Sequence, residues 1–243
     1  MIPLRDVIPP RTTPMMVYAL MTATSLVFLS ECLLPPAHLA AVIHAVGPAA
    51  GTMPSMSIVA VTFLHADWLH LIANLWMLWI FGENVEDRFG HGRLLACYLI
   101  TGVGATLLSH WLAPASLTAV GASGAIAGLI GAYLVLFPTS RIQILVWLIL
   151  SLDIVEVPAM FLAGFWFLLQ LITGVSTLAG ATDAGSITVW ALLGSFVTGA
   201  ALAKLLDRPE RREVAWWSGP RADRTSARKL QVRSQNLEVK SPQ

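Results

Sequence analysis

Two short stretches of this sequence hold residue types that could do chemistry together. The first is Gly121-Ala122-Ser123-Gly124. Glycines two before and one after the serine leave its hydroxyl unobstructed. At the start of a helix, free backbone N–H groups and the positive dipole end would surround it. That setting stabilises the oxyanion formed when a hydroxyl attacks a carbonyl. Packing alone is the other reading, because Gly124 and Gly128 form a small-xxx-small pair common where membrane helices touch. The second stretch runs from His65 to Asn74. His70 and Asn74 are four apart and share one helix face, so their donors can converge on one oxygen. A structural histidine with satisfied hydrogen bonds is the bland alternative. Asp67 is expected as the helix N-cap. His65 and His70 are five apart, so their side chains are expected to diverge, and no metal site is expected.

In this order, the motifs resemble those of the rhomboid intramembrane serine proteases. Gly-Ala-Ser-Gly at the head of the fourth span is similar to the rhomboid nucleophile motif, and His70 with Asn74 to the His-x-x-x-Asn pair of the second span. Glu83 to Arg88 resembles the charged stretch that follows. Trp190, Ala191, Gly194, Phe196 and Gly199 resemble the frame of the sixth helix. The resemblance covers nearly all of residues 1–206. It implies that Ser123 is the nucleophile and that His70, Asn74 and the Ser123 backbone N–H bind the oxyanion. It also implies transmembrane segments as substrates, cut near the external face, and no metal or organic cofactor.

One position departs from the family. Rhomboid proteases use a Ser-His dyad whose histidine lies on the sixth span in an Ala-His-x-Gly-Gly setting. Here the matching stretch is Ala191-Leu192-Leu193-Gly194-Ser195, and no histidine follows His110. Leucine cannot take the serine proton. Three explanations stay open: loss of catalysis with the fold retained as a pseudoprotease, His70 or His65 serving as substitute base, and a substitution of recent or artificial origin.

The elements that must position these residues are membrane helices. The chain has 243 residues, is 56% hydrophobic and only 12% charged, with a mean hydropathy of +0.71. A soluble domain would carry about a quarter charged residues. Breakers divide the chain into six apolar segments, near 17–34, 67–81, 94–112, 123–137, 158–178 and 187–206, and with roughly 20 residues needed per bilayer crossing the chain length and loop spacing allow about six spans. Pro158 suits a helix's first turn. Of the 15 Lys and Arg, ten follow Ala203, and Arg5, Arg11, Arg88, Arg93 and Arg141 fall in alternate loops. All then lie on one side of a six-span arrangement, read as cytoplasmic. A cleaved signal peptide at the first span would break that charge pattern.

The expected fold is therefore an all-α integral membrane protein, a six-transmembrane-helix rhomboid-like bundle over residues 1–206. A basic, disordered cytoplasmic tail is expected over 207–243, with Trp216-Trp217 as a possible contact to lipid headgroups. Both termini are expected in the cytoplasm, at a plasma or inner membrane. The partners expected are the bilayer and the transmembrane segments of other proteins, with no nucleic acid. Cys32 and Cys97 are expected as free buried thiols. The apolar loop 36–65 and the short apolar run 142–152 are expected as interfacial or partly embedded segments. A transporter or channel is a competing class, weakened by the lack of paired broken helices.

Overall fold

A computed structural model describes residues 2–35, 37–38, 41, 55–65, 67–112, 122–148, 151–178 and 184–208. The chain divides into two units, 1–207 and 208–243, and the described helices and strands belong to the first. Gly121 and the tail tryptophans, Trp216 and Trp217, lie outside the described residues.

Each of the six apolar segments is helical. The helices are α1 (Met15–Leu33), a short α2 (Ser55–Val61), α3 (Trp68–Phe89), α4 (His91–Leu112), α5 (Ala122–Leu136), α6 (Ala159–Leu178) and α7 (Ala184–Leu206). Among the described residues, three stretches, Met15–Leu33, His91–Trp111 and Val189–Leu206, are long and apolar enough to cross a membrane. Their outward residues are apolar as well: Leu193, Val197 and Leu205 are exposed on α7, while Ala191, Leu192, Ser195 and Ala203 are buried. An apolar outer face with small residues inside is the pattern of a helix that meets lipid on one side and other helices on the other.

Helices α5 and α7 make the most extensive contact in the unit. Their backbones meet at glycines. A Cβ built on Gly199 would lie 1.9 Å from the Gly128 carbonyl oxygen, and one on Gly131 would lie 2.1 Å from that of Phe196. Only a hydrogen fits at either place. Ser195 donates to the Thr101 carbonyl on α4 at 3.0 Å, so α7 is also tied to α4.

The charged stretch closing α3 is buried, and its charges are used. Pro14, which precedes α1, offers no side-chain cap. Glu86, fully buried, does so from a distance, accepting the Met16 and Val17 N–H groups at 2.8 Å each. These are donors that a helix N-terminus leaves unpaired, and the carboxylate also faces the positive dipole end. Glu86 bonds His91 as well. Asp87 accepts from Thr12 through both its N–H and its hydroxyl. Arg88 makes a two-pronged ion pair with Asp207, at 2.9 and 2.7 Å, joining the end of α3 to the end of α7.

The all-α expectation needs correction. Strands β1 (Ile2–Asp6), β2 (Arg141–Leu148) and β3 (Ser151–Pro158) form an antiparallel sheet in the order β1-β2-β3. The run 142–152, expected as an interfacial segment, is most of this hairpin. Arg141 is exposed, Ile142 and Ile144 are buried, and Gln143 between them is half-buried. That two-residue period is a strand's. Asp6 ends β1 and is held by Asn84 Nδ2 at 2.8 Å and by the Tyr133 hydroxyl, which also lies 2.7 Å from Ser140 Oγ. The thiol expectation is also half corrected: Cys97 is buried, but Cys32 is exposed.

Candidate functional site

The site forms where the start of α3 meets the start of α5. Asp67 caps α3 as expected, its carboxylate accepting the His70 N–H at 2.8 Å. The cap fixes the first turn, so His70 and Asn74 point from one face toward α5. Ser123 lies in the first turn of α5, inside an unbroken run of buried small and apolar residues from Ala122 to Tyr133. Gly128 lets that run sit against α4: a Cβ there would meet Thr101 at 2.4 Å. Gly124 is buried on the turn that carries Ser123.

Ser123 is 2% exposed and Asn74 1%. Ser123 Oγ lies 2.8 Å from His70 Nε2 and 3.4 Å from Asn74 Nδ2. An amide nitrogen only donates. Of these two neighbours, therefore, only His70 can accept the Ser123 proton. Leu192 is buried on α7, at 1% exposure, and offers no acceptor. Ser195, the other unusual residue of that stretch, is taken up by the Thr101 carbonyl. The structure thus brings Ser123, His70 and Asn74 together around one oxygen atom.

His65 departs from expectation. Its ring does not diverge from that of His70; the two stand edge to face with centroids 5.4 Å apart. The reason is that His65 precedes the Asp67 cap and so lies off the helix, where helical spacing does not apply. Its Nε2 lies 3.1 Å from Asn74 Nδ2 and its Nδ1 3.1 Å from the Phe63 carbonyl oxygen. A carboxylate that sequence spacing does not place here also comes close: Glu31, on α1, accepts the His65 N–H at 3.5 Å. Burial, reinforced by the neighbouring His70, pulls the His65 imidazole down to about 4. The ring is therefore neutral at ordinary pH. Among the described residues, no group of three or more His, Cys, Asp and Glu side chains is placed to hold a metal ion.

Comparison with known proteins identifies the family. The Rhomboid domain family matches residues 52–209, well over half of the chain. Rhomboid-like protein 11, chloroplastic, of Arabidopsis thaliana is 51% identical over 71 residues, which is 29% of this chain and 25% of that protein. RHOMBOID-like protein 4 of the same plant is 32% identical over 161 residues, 66% of this chain and 36% of that protein. Rhomboid protease GluP of Bacillus subtilis is 38% identical over 78 residues, 32% of this chain and 15% of that protein. This chain spans about a quarter of the length of the first of these relatives and about a third of the second. With a serine, a histidine and an asparagine converging at the head of two apolar helices, and a domain match over most of the helical unit, the chain belongs to the rhomboid family of membrane proteins.

Proposed function

We propose that this protein binds transmembrane helices of client proteins at the Ser123 site and is strongly impaired in cutting them. The observation that carries the reading is the buried Leu192 at the place where the family's general base is expected. Ser123 is the nucleophile position, and His70, Asn74 and the first-turn N–H groups of α5 form the oxyanion site. His70 and Asn74 approach Ser123 Oγ from the same helix face. A base and an oxyanion donor must work on different sides of the attacked carbonyl carbon, so one imidazole cannot do both. Loss of the base costs on the order of a million-fold in serine proteases, or about 8 kcal/mol of barrier. The remaining oxyanion site accelerates attack by on the order of a thousand-fold over water, too little for peptide bonds in a cell.

The setting is a bundle with six membrane spans, both termini in the cytoplasm and the Lys and Arg side facing inward, in a plasma or inner membrane. Helix α5 has 15 residues, a length of about 22 Å against a hydrocarbon core of about 30 Å. Its far end is fixed by the Tyr133–Ser140–Asp6 bonds beside the sheet. Ser123 would then lie below the external boundary, within reach of a client helix and removed from bulk water. The membrane unit, read from the sequence as residues 1–206, extends to Asp207, the partner of Arg88, and a basic cytoplasmic tail follows to 243.

A second reading is favoured by one distance. With His70 Nε2 at 2.8 Å from Ser123 Oγ, His70 would be the base and the protein an active intramembrane serine endopeptidase. Giving up one oxyanion donor costs about a hundred- to a thousand-fold, a far smaller loss than having no base. The two readings separate in liposomes carrying a single-span helical reporter with a photo-crosslinker. The first expects uncut reporter crosslinked beside Ser123. The second expects cleavage that Ser123→Ala and His70→Ala abolish equally. Crosslinking spread evenly over the lipid-facing helices, with no enrichment at the site, would contradict the binding function.

A further inference from the structure

We infer that His65 is a positioning residue: its bare Nε2, with Nδ1 committed to the Phe63 carbonyl, fixes which end of the Asn74 amide faces Ser123. The inference rests on the proposed site for the meaning of Ser123, but not for the hydrogen-bond polarity itself. That polarity follows link by link. A carbonyl oxygen only accepts, so His65 Nδ1, 3.1 Å from Phe63 O, carries the proton. A neutral imidazole protonated on Nδ1 can only accept at Nε2. The atom 3.1 Å from Nε2 is accordingly the Asn74 amide nitrogen, which donates one hydrogen to it. The second hydrogen is left for Ser123 Oγ at 3.4 Å. Turning the amide over would set its oxygen against bare Nε2, acceptor against acceptor, and would present an acceptor where an oxyanion needs a donor.

Among the described residues, nothing on the far side of the amide competes with His65 for this role. Asn74 Oδ1 is buried and has no hydrogen-bond partner among the described residues. The orientation of Asn74 is therefore set from the His65 side. His65 is itself well held. It is 9% exposed, its ring stands edge to face against Phe28 and His70, and its N–H reaches Glu31 Oε2. A second-layer partner that sets the tautomer and orientation of a working group is familiar from metal sites. Here the outer group is a backbone carbonyl and the working group a side-chain amide.

The direct test is the side-chain nitrogen spectrum of the full chain in detergent micelles, labelled with 15N-histidine. The expected result is His65 protonated on Nδ1 and bare on Nε2, in the parent and in Ser123→Ala alike. A proton on Nε2 would overturn the inference. The second arm follows labelling of Ser123 by a fluorophosphonate, a serine-reactive probe, in a Leu192→His parent. His65→Phe keeps a ring but offers no acceptor, and labelling should fall by about a hundred-fold, the scale of one lost oxyanion donor. His65→Gln places an amide oxygen where Nε2 was and should recover most of that loss. Equal labelling of the Phe and Gln variants would overturn the inference. If Ser123 labels in none of these proteins, the nucleophile assignment fails, and the nitrogen spectrum still decides the role of His65.

Discussion

At Ser123 three polar side chains meet on one buried oxygen, and their donor and acceptor capacities leave little freedom. The serine proton can go only to His70 among the two residues bonded to Oγ, and the Asn74 amide can only donate. Asn74→Ala removes that donor and strands His65 Nε2. Fluorophosphonate labelling of Ser123 in a Leu192→His parent should then fall by about a hundred- to a thousand-fold, with His70 still bonded to the serine. An unchanged rate would remove Asn74 from the oxyanion site. The placement of His70 and Asn74 on one face was legible from their four-residue helical spacing, and that of Ser123 from its flanking glycines at a helix start. His65 was not. It stands before the cap, where the direction of a side chain depends on tertiary contacts, here Phe28, Phe63 and Glu31.

At the level of elements, the site depends on two kinds of join. One is backbone contact between α5 and α7 at Gly128 and Gly199. Gly199→Ala puts a methyl 1.9 Å from a carbonyl oxygen, so the helices must part. A destabilisation of about 1–3 kcal/mol is expected, read as a lower unfolding midpoint in mild detergent. A midpoint at or above that of the parent would contradict the close crossing. The other join is charge. Arg88→Ala would leave Asp207 buried without its main counter-ion and should cost about 3–5 kcal/mol, whereas replacing both residues by apolar ones should recover most of it. A double variant as unstable as the single one would show that the pair does more than balance charge. The helices themselves were readable from apolar runs and breakers, and their ends came within about three residues, except that α3 runs on past 81 through the charged stretch to Phe89. The sheet was not. A short apolar run such as 142–152 fits a buried strand as well as an embedded segment, and the partner strand β1 lies more than a hundred residues away in the chain.

Across the whole molecule, the two faces of the bundle carry different duties. Ser123, His70 and Asn74 gather at the start of α3 and α5. The structural charges gather at the opposite end of α3, around Glu86, Asp87 and Arg88. The N-terminal strand docks among residues near that second end, through Asp6. Burial, partly offset by hydrogen bonds from Ile8, Tyr133 and Asn84, pushes the Asp6 carboxyl up to about 6. A folded value above the unfolded one means that the docked strand binds the proton more tightly than the free chain does. Docking is therefore firmest below about pH 4 and loosens as pH rises through about 6. Protection of residues 2–6 from hydrogen exchange, corrected for intrinsic rates, should fall across that window and should lose its pH dependence in Asp6→Asn. A pH dependence that survives in Asp6→Asn would assign it to another group.

The central claim is that one side chain separates this scaffold from a working protease. Its most direct measurement is Ser123-dependent cleavage of a single-span reporter in liposomes by the parent and by Leu192→His. The account expects a silent parent and a gain of at least about a thousand-fold in the variant, part of the million-fold that a histidine base supplies. A parent that already cleaves in a Ser123-dependent way would contradict it and would make His70 the base.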